Sequence, residues 1–168
     1  RDLEEPSRMF DLPGSGTDAN NDPLTFNSEE FDVGAAGVPN NATNPPFFRS
    51  WLATASPART FPRLSDLVNN TTVIGEVLPN TTRALNFRLT ARDNRAGGGG
   101  VNYASLSFNV TTAAGPFQVT APNTAVTIQG GTPMNVTWNV ASTTAAPVSC
   151  PLVNILLSTD GGLTYPVT

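Results

Sequence analysis

Histidine and lysine are both missing from this chain of 168 residues, and Cys150 is its one cysteine. Without histidine there can be no Ser-His-Asp or Cys-His arrangement, no zincin helix and almost no ordinary zinc site. Cys150 cannot close a disulfide within the chain, and no His or Lys is there to activate its thiol. It reads as a small apolar filler, with pairing to another chain as the alternative. All nine basic residues are arginine, against thirteen acidic ones, and the net charge is −4. A nucleic acid or an anionic membrane needs a basic footprint, so neither is an expected partner. No apolar run approaches the ~18 residues of a membrane span, and no signal peptide is visible. The chain does not start with Met and is expected to be a processed or excised piece. Together these absences make an enzyme in its own right a distant third among the functional readings, and no cofactor is expected apart from the calcium question below.

What is abundant is Thr, Asn, Gly and Pro, with only 13% charged residues. Six Asn-x-Thr triplets, at Asn41, Asn69, Asn70, Asn80, Asn109 and Asn135, are candidate glycosylation sites. With the neutral surface they point to an extracellular or cell-surface setting and to covalent glycans.

Helix signals are poor. Residues 61–69, "FPRLSDLVN", offer a turn or two with Ser65 as a cap. Strand signals recur, each bounded by Gly, Pro, Asn or Asp, at 9–12, 24–26, 84–92, 103–111, 117–121, 125–129, 134–140, 153–158 and 163–167. In the clearest, Leu85, Phe87, Leu89 and Ala91 alternate with polar residues, the period of a half-buried strand. Its partner carries Leu106, Phe108 and Val110 on one face, and Asp93–Gly100 reads as a flexible hairpin loop between them. The glycines there do not cradle phosphate, since neither a Lys nor a helix start follows.

Residues 33–62 are rich in Pro, Asn and Ala yet contain Phe47, Phe48 and Trp51. Either this is a long loop pinned onto the sandwich, or the three aromatics form a patch that meets a partner. The segment 111–116, "TTAAGP", looks like a short linker. The expected organisation is one domain over 1–112, a linker at 113–115 and a second domain over 116–168. The second has roughly fifty residues where a sandwich normally takes ~100, so it is expected to lack its last strands. Trp138, flanked by Val136 and Val140, is expected in its core.

Three groups of residues bear on chemistry. Asp18, Asn20 and Asp22 alternate as oxygen ligands of a hard cation such as Ca²⁺ would. Pro23 stands where a calcium loop carries Gly, and Asp and Asn also close turns without metal, so turn and calcium site both remain open. Glu4, Glu5, Glu29, Glu30 and Asp32 read as solvated surface rather than a glycosidase pair. Ser158, Asp160, Gly161, Gly162, Thr164 and Tyr165 match an Asp-box pattern, Ser-x-Asp-x-Gly-x-Thr-aromatic. Asp160 can accept turn N–H groups, the glycines can take positive φ, and Tyr165 can fold back on apolar neighbours, which makes a structural hairpin clasp.

The stretches "RMFDLPGSGTDANNDPLTF", "SPARTFPRLSDL" and "TRALNFRLTARDNRAGGGG" are similar to the cadherin- or PKD-like Ig module downstream of the catalytic domain in secreted, reprolysin-like zinc metallopeptidases of bacteria. The stretches "GPFQVTAPNTAVTIQGGTPMNVTWNVA" and "VNILLSTDGGLTYPV" resemble the Ig-like domain that follows it, distantly similar to that of Ser/Thr-rich cell-wall proteins. The resemblance implies an all-β chain of two tandem Ig-like sandwiches and a non-catalytic accessory role. The family's HExxH site has no counterpart here, so no catalytic residue carries over. Relatives of the second domain continue for a few more strands after the clasp. Two functions are therefore expected: an accessory module completed by the rest of a parent polypeptide, or a structural subunit that assembles with copies of itself into a fibre. In the second case strand exchange would complete each copy, with residues 1–8 as the donor arm.

Overall fold

The computed structural model describes residues 3–4 (backbone only), 9–36 and 43–166. The fold is all-β with one short helix. Its strands are β1 (Leu3–Glu4), β2 (Phe10–Leu12), β3 (Thr25–Glu30), β4 (Arg59–Phe61), β5 (Arg83–Arg92), β6 (Val101–Val110), β7 (Gln118–Ala121) and β8 (Thr137–Asn139), with helix α1 (Leu64–Val68) after β4.

The long hairpin β5–β6 organises the first part of the chain. Its antiparallel register runs unbroken from Arg83↔Val110 to Arg92↔Val101. β3 adds to the other side of β5, and β1 lies parallel to β6 at Asn109 and Val110, giving the order β1-β6-β5-β3. A second layer, the antiparallel ribbon β2–β4, covers this sheet. Period-2 alternation sends Leu85, Phe87, Phe108 and Val110 inward to meet Phe10 and Phe61 from the ribbon. The core is aromatic: Phe61 and Phe87 lie 4.8 Å apart between ring centroids, Phe10 stacks on Phe61 at 5.3 Å, and Phe10 meets Phe108 edge-on at 5.1 Å. Edge-to-face and offset contacts of this kind favour aromatic pairs beyond their burial alone.

Phe47 and Phe48 belong to that core, at 1% and 2% exposure. This corrects their reading as a candidate interface: the loop is pinned down, and neither ring is available to a partner. Trp51 is half-buried, with Arg49 and Arg63 stacked near its ring. The pin is carboxylate chemistry. Glu30 Oε2 accepts the N–H groups of Phe47 and Phe48 at 2.5 and 2.7 Å. Glu76, only 6% exposed, accepts Trp51 Nε1 at 2.5 Å, Arg59 Nη2 at 2.7 Å and the Arg63 N–H at 2.8 Å. Glu30 is thus no solvated surface acid, because the loop folds over it.

The expected helix is shorter and starts later. Residues 59–61 pair with β2 as β4, and α1 is capped at Arg63 without a side-chain bond, so Ser65 is not its cap. The fit is instead made by Arg63, whose Nε and Nη2 meet the two oxygens of Asp66 at 3.0 and 2.8 Å. The glycine loop after β5 is also tighter than a free loop. Asp93 accepts the N–H groups of Arg95 at 3.1 Å and Gly100 at 2.8 Å, closing it like a staple.

Past Val110 the order changes. Ala114 in the linker is 2% exposed, and its carbonyl accepts the Ser142 N–H at 2.7 Å, so the linker is packed rather than free. Of the five strands expected in 116–168, two form among the described residues: β7 and β8, paired through Val119↔Trp138 with an irregularity before Ala121. Residues 125–129 form no strand, and 153–158 contribute a single bridge position at Leu157. Trp138 is 36% exposed and Ile155 58%, so Trp138 lines an open surface instead of a closed core.

Candidate functional site

Three places gather polar or apolar groups in ways that could bind something. The first lies where the β2–β3 connection meets the staple loop. Asp18 Oδ1 accepts the N–H groups of Asn20 at 2.8 Å and Asp22 at 3.0 Å, an Asx-type turn that orders the DANND segment. Asn20 gives its backbone to this turn, and its side chain is exposed. The third carboxylate near Asp18 and Asp22 is Asp93: one oxygen from each of the three lies within 4.8 Å of the others. Carboxylates so disposed can hold one hard cation such as Ca²⁺, which would draw its remaining oxygens from backbone or water. Arg95 competes for the same charge, with Nη1 3.5 Å from Asp22 Oδ2. Asp93 is held below the usual carboxylate range by the Gly100 and Arg95 N–H groups. The spacing Asp18-Asn20-Asp22 suggested this place but not its third member. Asp93 is distant in sequence and arrives only because β3 pairs with β5 from Thr25↔Arg92 onward.

The second place is the Asp-box segment. Ser158 Oγ donates to Asp160 Oδ1 at 2.7 Å and accepts the Gly162 N–H at 2.7 Å. Asp160 Oδ1 accepts the N–H groups of Leu163 at 3.1 Å and Thr164 at 2.9 Å, while Oδ2 accepts Thr164 Oγ1 at 2.6 Å. Gly161 and Gly162 hold φ of 77° and 94°, which a side chain would strain. These bonds, led by that of Thr164 Oγ1, hold Asp160 well below the usual carboxylate range. Tyr165 is 49% exposed, so it does not fold back into an apolar core. With every Asp160 oxygen used by its own turn, the motif is a local clasp. No strand flanks it among the described residues, so it does not close a β-hairpin ladder there.

The third place is a groove of about 710 Å³ beside β7 and β8, walled by Phe117, Val119, Met134, Trp138, Leu152 and Ile155 among others. Val119, Leu152, Ile155 and Leu157 are 50%, 82%, 58% and 59% exposed. Cys150 is half-buried on its wall, its Sγ 3.6 Å from the Leu152 carbonyl. This is an apolar surface without a second layer. Its lining holds no Asp, Glu, Arg or Tyr.

No protein-family model, curated protein or solved structure matches the chain. Function therefore has to be argued from these sites. Of the six glycosylation candidates, Asn69, Asn70, Asn80, Asn109 and Asn135 are exposed, and Asn41 lies outside the described residues. Asn69 Nδ2 is engaged with the Ser65 carbonyl at 2.7 Å at the end of α1. No helix among the described residues is long and apolar enough to cross a membrane.

Proposed function

We propose that this chain is a non-catalytic, extracellular β module whose work is structural contact with other polypeptide. One observation carries the reading: the apolar groove along β7 and β8 and residues 152–157. Several large apolar side chains there stay about half exposed or more, while in the other half of the chain Phe10, Phe47, Phe48, Phe61, Phe87 and Phe108 are all buried. Exposed apolar area on this scale is characteristic of protein–protein contact surfaces. The resemblance to the accessory modules of secreted metallopeptidases agrees with this role, and the missing histidine argues against catalysis in this chain. Glycans on the exposed Asn residues fit the same setting, and a measured mass above 17.6 kDa would report them. Calcium at Asp18, Asp22 and Asp93 would brace the end of the sheet; a calcium-raised unfolding midpoint, lost in Asp22→Ala, would support it, and indifference to EDTA would remove it.

A second reading, strand exchange between copies in a fibre, is favoured by the edge of β6. β1 covers only Asn109 and Val110, leaving residues 101–108 of β6 without a neighbouring strand on that side among the described residues. Such an edge accepts an extended strand. Light scattering and electron microscopy separate the readings. Ile155→Asp with Leu157→Asp should abolish association in both. Deleting residues 1–8 should abolish it only under strand exchange. A wild-type chain that stays monomeric at high concentration overturns the fibre reading.

A further inference from the structure

On the outer face of the four-stranded sheet, three strands bring together Phe31 (just past β3), Arg88 of β5 and Tyr103 of β6. The Arg88 guanidinium carbon lies 3.8 Å from the Phe31 ring centroid and 4.1 Å from that of Tyr103. Both rings are open to solvent, at 54% and 59% exposure. A guanidinium held over two aromatic faces has less freedom to reorient than one in open solvent.

Among the described residues the Arg88 side chain has no ion pair, and its Nε–H is buried without a partner. Two acids lie close by and keep their charge, but neither forms an ion pair with it among the described residues. Glu29, directly opposite Arg88 in the β3–β5 register, accepts a hydrogen bond from Ser50 Oγ. Asp32, one residue past Phe31, accepts the Asn86 N–H at 3.0 Å and also Asn86 Nδ2. Arg83, by contrast, uses its Nη1 on the Thr43 carbonyl, and Arg59 pairs with Glu76. An oriented cation left unpaired in a chain of net charge −4 is a recognition element rather than a fold element.

We propose that Arg88, Phe31 and Tyr103 form a binding site for a carboxylate carried on a sugar ring, that is, a uronate of an acidic polysaccharide. The Nη edge takes the carboxylate in the two-pronged geometry that a guanidinium favours. The exposed ring of Tyr103 or Phe31 takes the apolar C–H face of the sugar, and the neutral side chains of Ser105 and Asn27 lie on the neighbouring strands beside Arg88 and Thr90, with Glu29 opposite Arg88 on β3. An acidic peptide side chain would use the cation but have no need of two exposed rings.

Isothermal titration of the whole chain with trigalacturonate tests this, with maltotriose as the neutral control. Saturable binding is expected for trigalacturonate alone, weakened at least tenfold by Arg88→Ala, several-fold by Tyr103→Ala, and not restored by Arg88→Lys. Tyr103 is exposed and Arg88 half-buried, and circular dichroism of each variant checks that it folds. No heat at millimolar trigalacturonate, an unchanged Kd in Arg88→Ala, or equal affinity for triglutamate would each overturn the assignment.

Discussion

Two halves of one chain carry similar strand patterns and meet different fates. In the first, Leu85 and Phe87 on β5 alternate inward and are 0% and 2% exposed. In the second, Ile155 and Leu157 alternate just as regularly and remain 58% and 59% exposed. The difference is not local propensity. Residues 9–110 supply a second layer, the β2–β4 ribbon with its two phenylalanines and the loop that delivers Phe47 and Phe48. Residues 116–166 supply one short ribbon, β7–β8, and bury few side chains, Thr143 and Val148 among them. Alternation says which side of a strand wants to be buried; a facing layer decides whether it is.

Paired truncations put the largest test on this contrast. Phe61→Ala removes a fully buried ring from the centre of the cluster and should cost about 3–5 kcal/mol in urea unfolding. Trp138→Ala, on the open groove, should cost less than about 1 kcal/mol in the isolated chain. It also leaves Trp51 as the single tryptophan, an optical reporter confined to the first half. A loss at Trp138 as large as that at Phe61 would mean that the groove is closed in solution. Next comes Glu76→Ala, which leaves Trp51 Nε1, Arg59 and the Arg63 N–H without their acceptor and should cost about 3 kcal/mol. The same Trp51 fluorescence would report it.

A smaller effect depends on pH. Burial pushes Glu30 up to about 7 from 4.5, outweighing the Phe48 and Phe47 N–H groups that favour its charge. In the unfolded chain the group ionises first, so between these values the folded state holds a proton that the unfolded state releases. Stability from this group is therefore present in full below pH 4.5 and is lost as pH rises through 7. After allowance for partial solvent screening the change is about 1–2 kcal/mol. Glu30→Gln, whose amide oxygen can still accept both N–H groups, should flatten the urea midpoint between pH 5 and pH 8. An unchanged slope in that variant would assign the pH dependence elsewhere.

Much of the first half was legible because its signals are local. The alternation at 84–92 and 103–111 marked the central hairpin, and turn residues marked its ends. β4 was not legible: Arg-Thr-Phe is three residues long and became a strand only through pairing with β2. Phe47 and Phe48 left two readings open because an aromatic pair after two prolines serves a core or a partner equally well. The choice was made by Glu30, whose carboxylate ties down their N–H groups from a distance in sequence. Asp93 was hidden for the same reason. In the second half the strand signals at 125–129 and 153–158 were real patterns with no layer to act on.

The finest version of the comparison uses two carboxylates in the same role. Asp93 and Asp160 each accept two backbone N–H groups across a tight loop, and both are held below the usual carboxylate range, Asp93 by those bonds and Asp160 first by the Thr164 hydroxyl and then by its N–H groups. Asp93 staples a loop whose flanks are already joined through ten residue pairs of β5 and β6. Asp160 staples a segment with no flanking strand among the described residues. Neither Asp→Ala change should move the global unfolding midpoint measurably, since both loops are solvent-exposed. Hydrogen exchange should separate them. In Asp93→Ala, faster exchange should be confined to Arg95 and Gly100, because the ladder holds its own ends. In Asp160→Ala it should spread over Gly162, Leu163 and Thr164 together, because Ser158 and Asp160 accept the N–H groups of all three and no strand ladder holds them. Equal, confined effects in both variants would show that the segment at 158–164 is supported by more than its own side chains. That outcome would mean a second layer does cover the groove in solution.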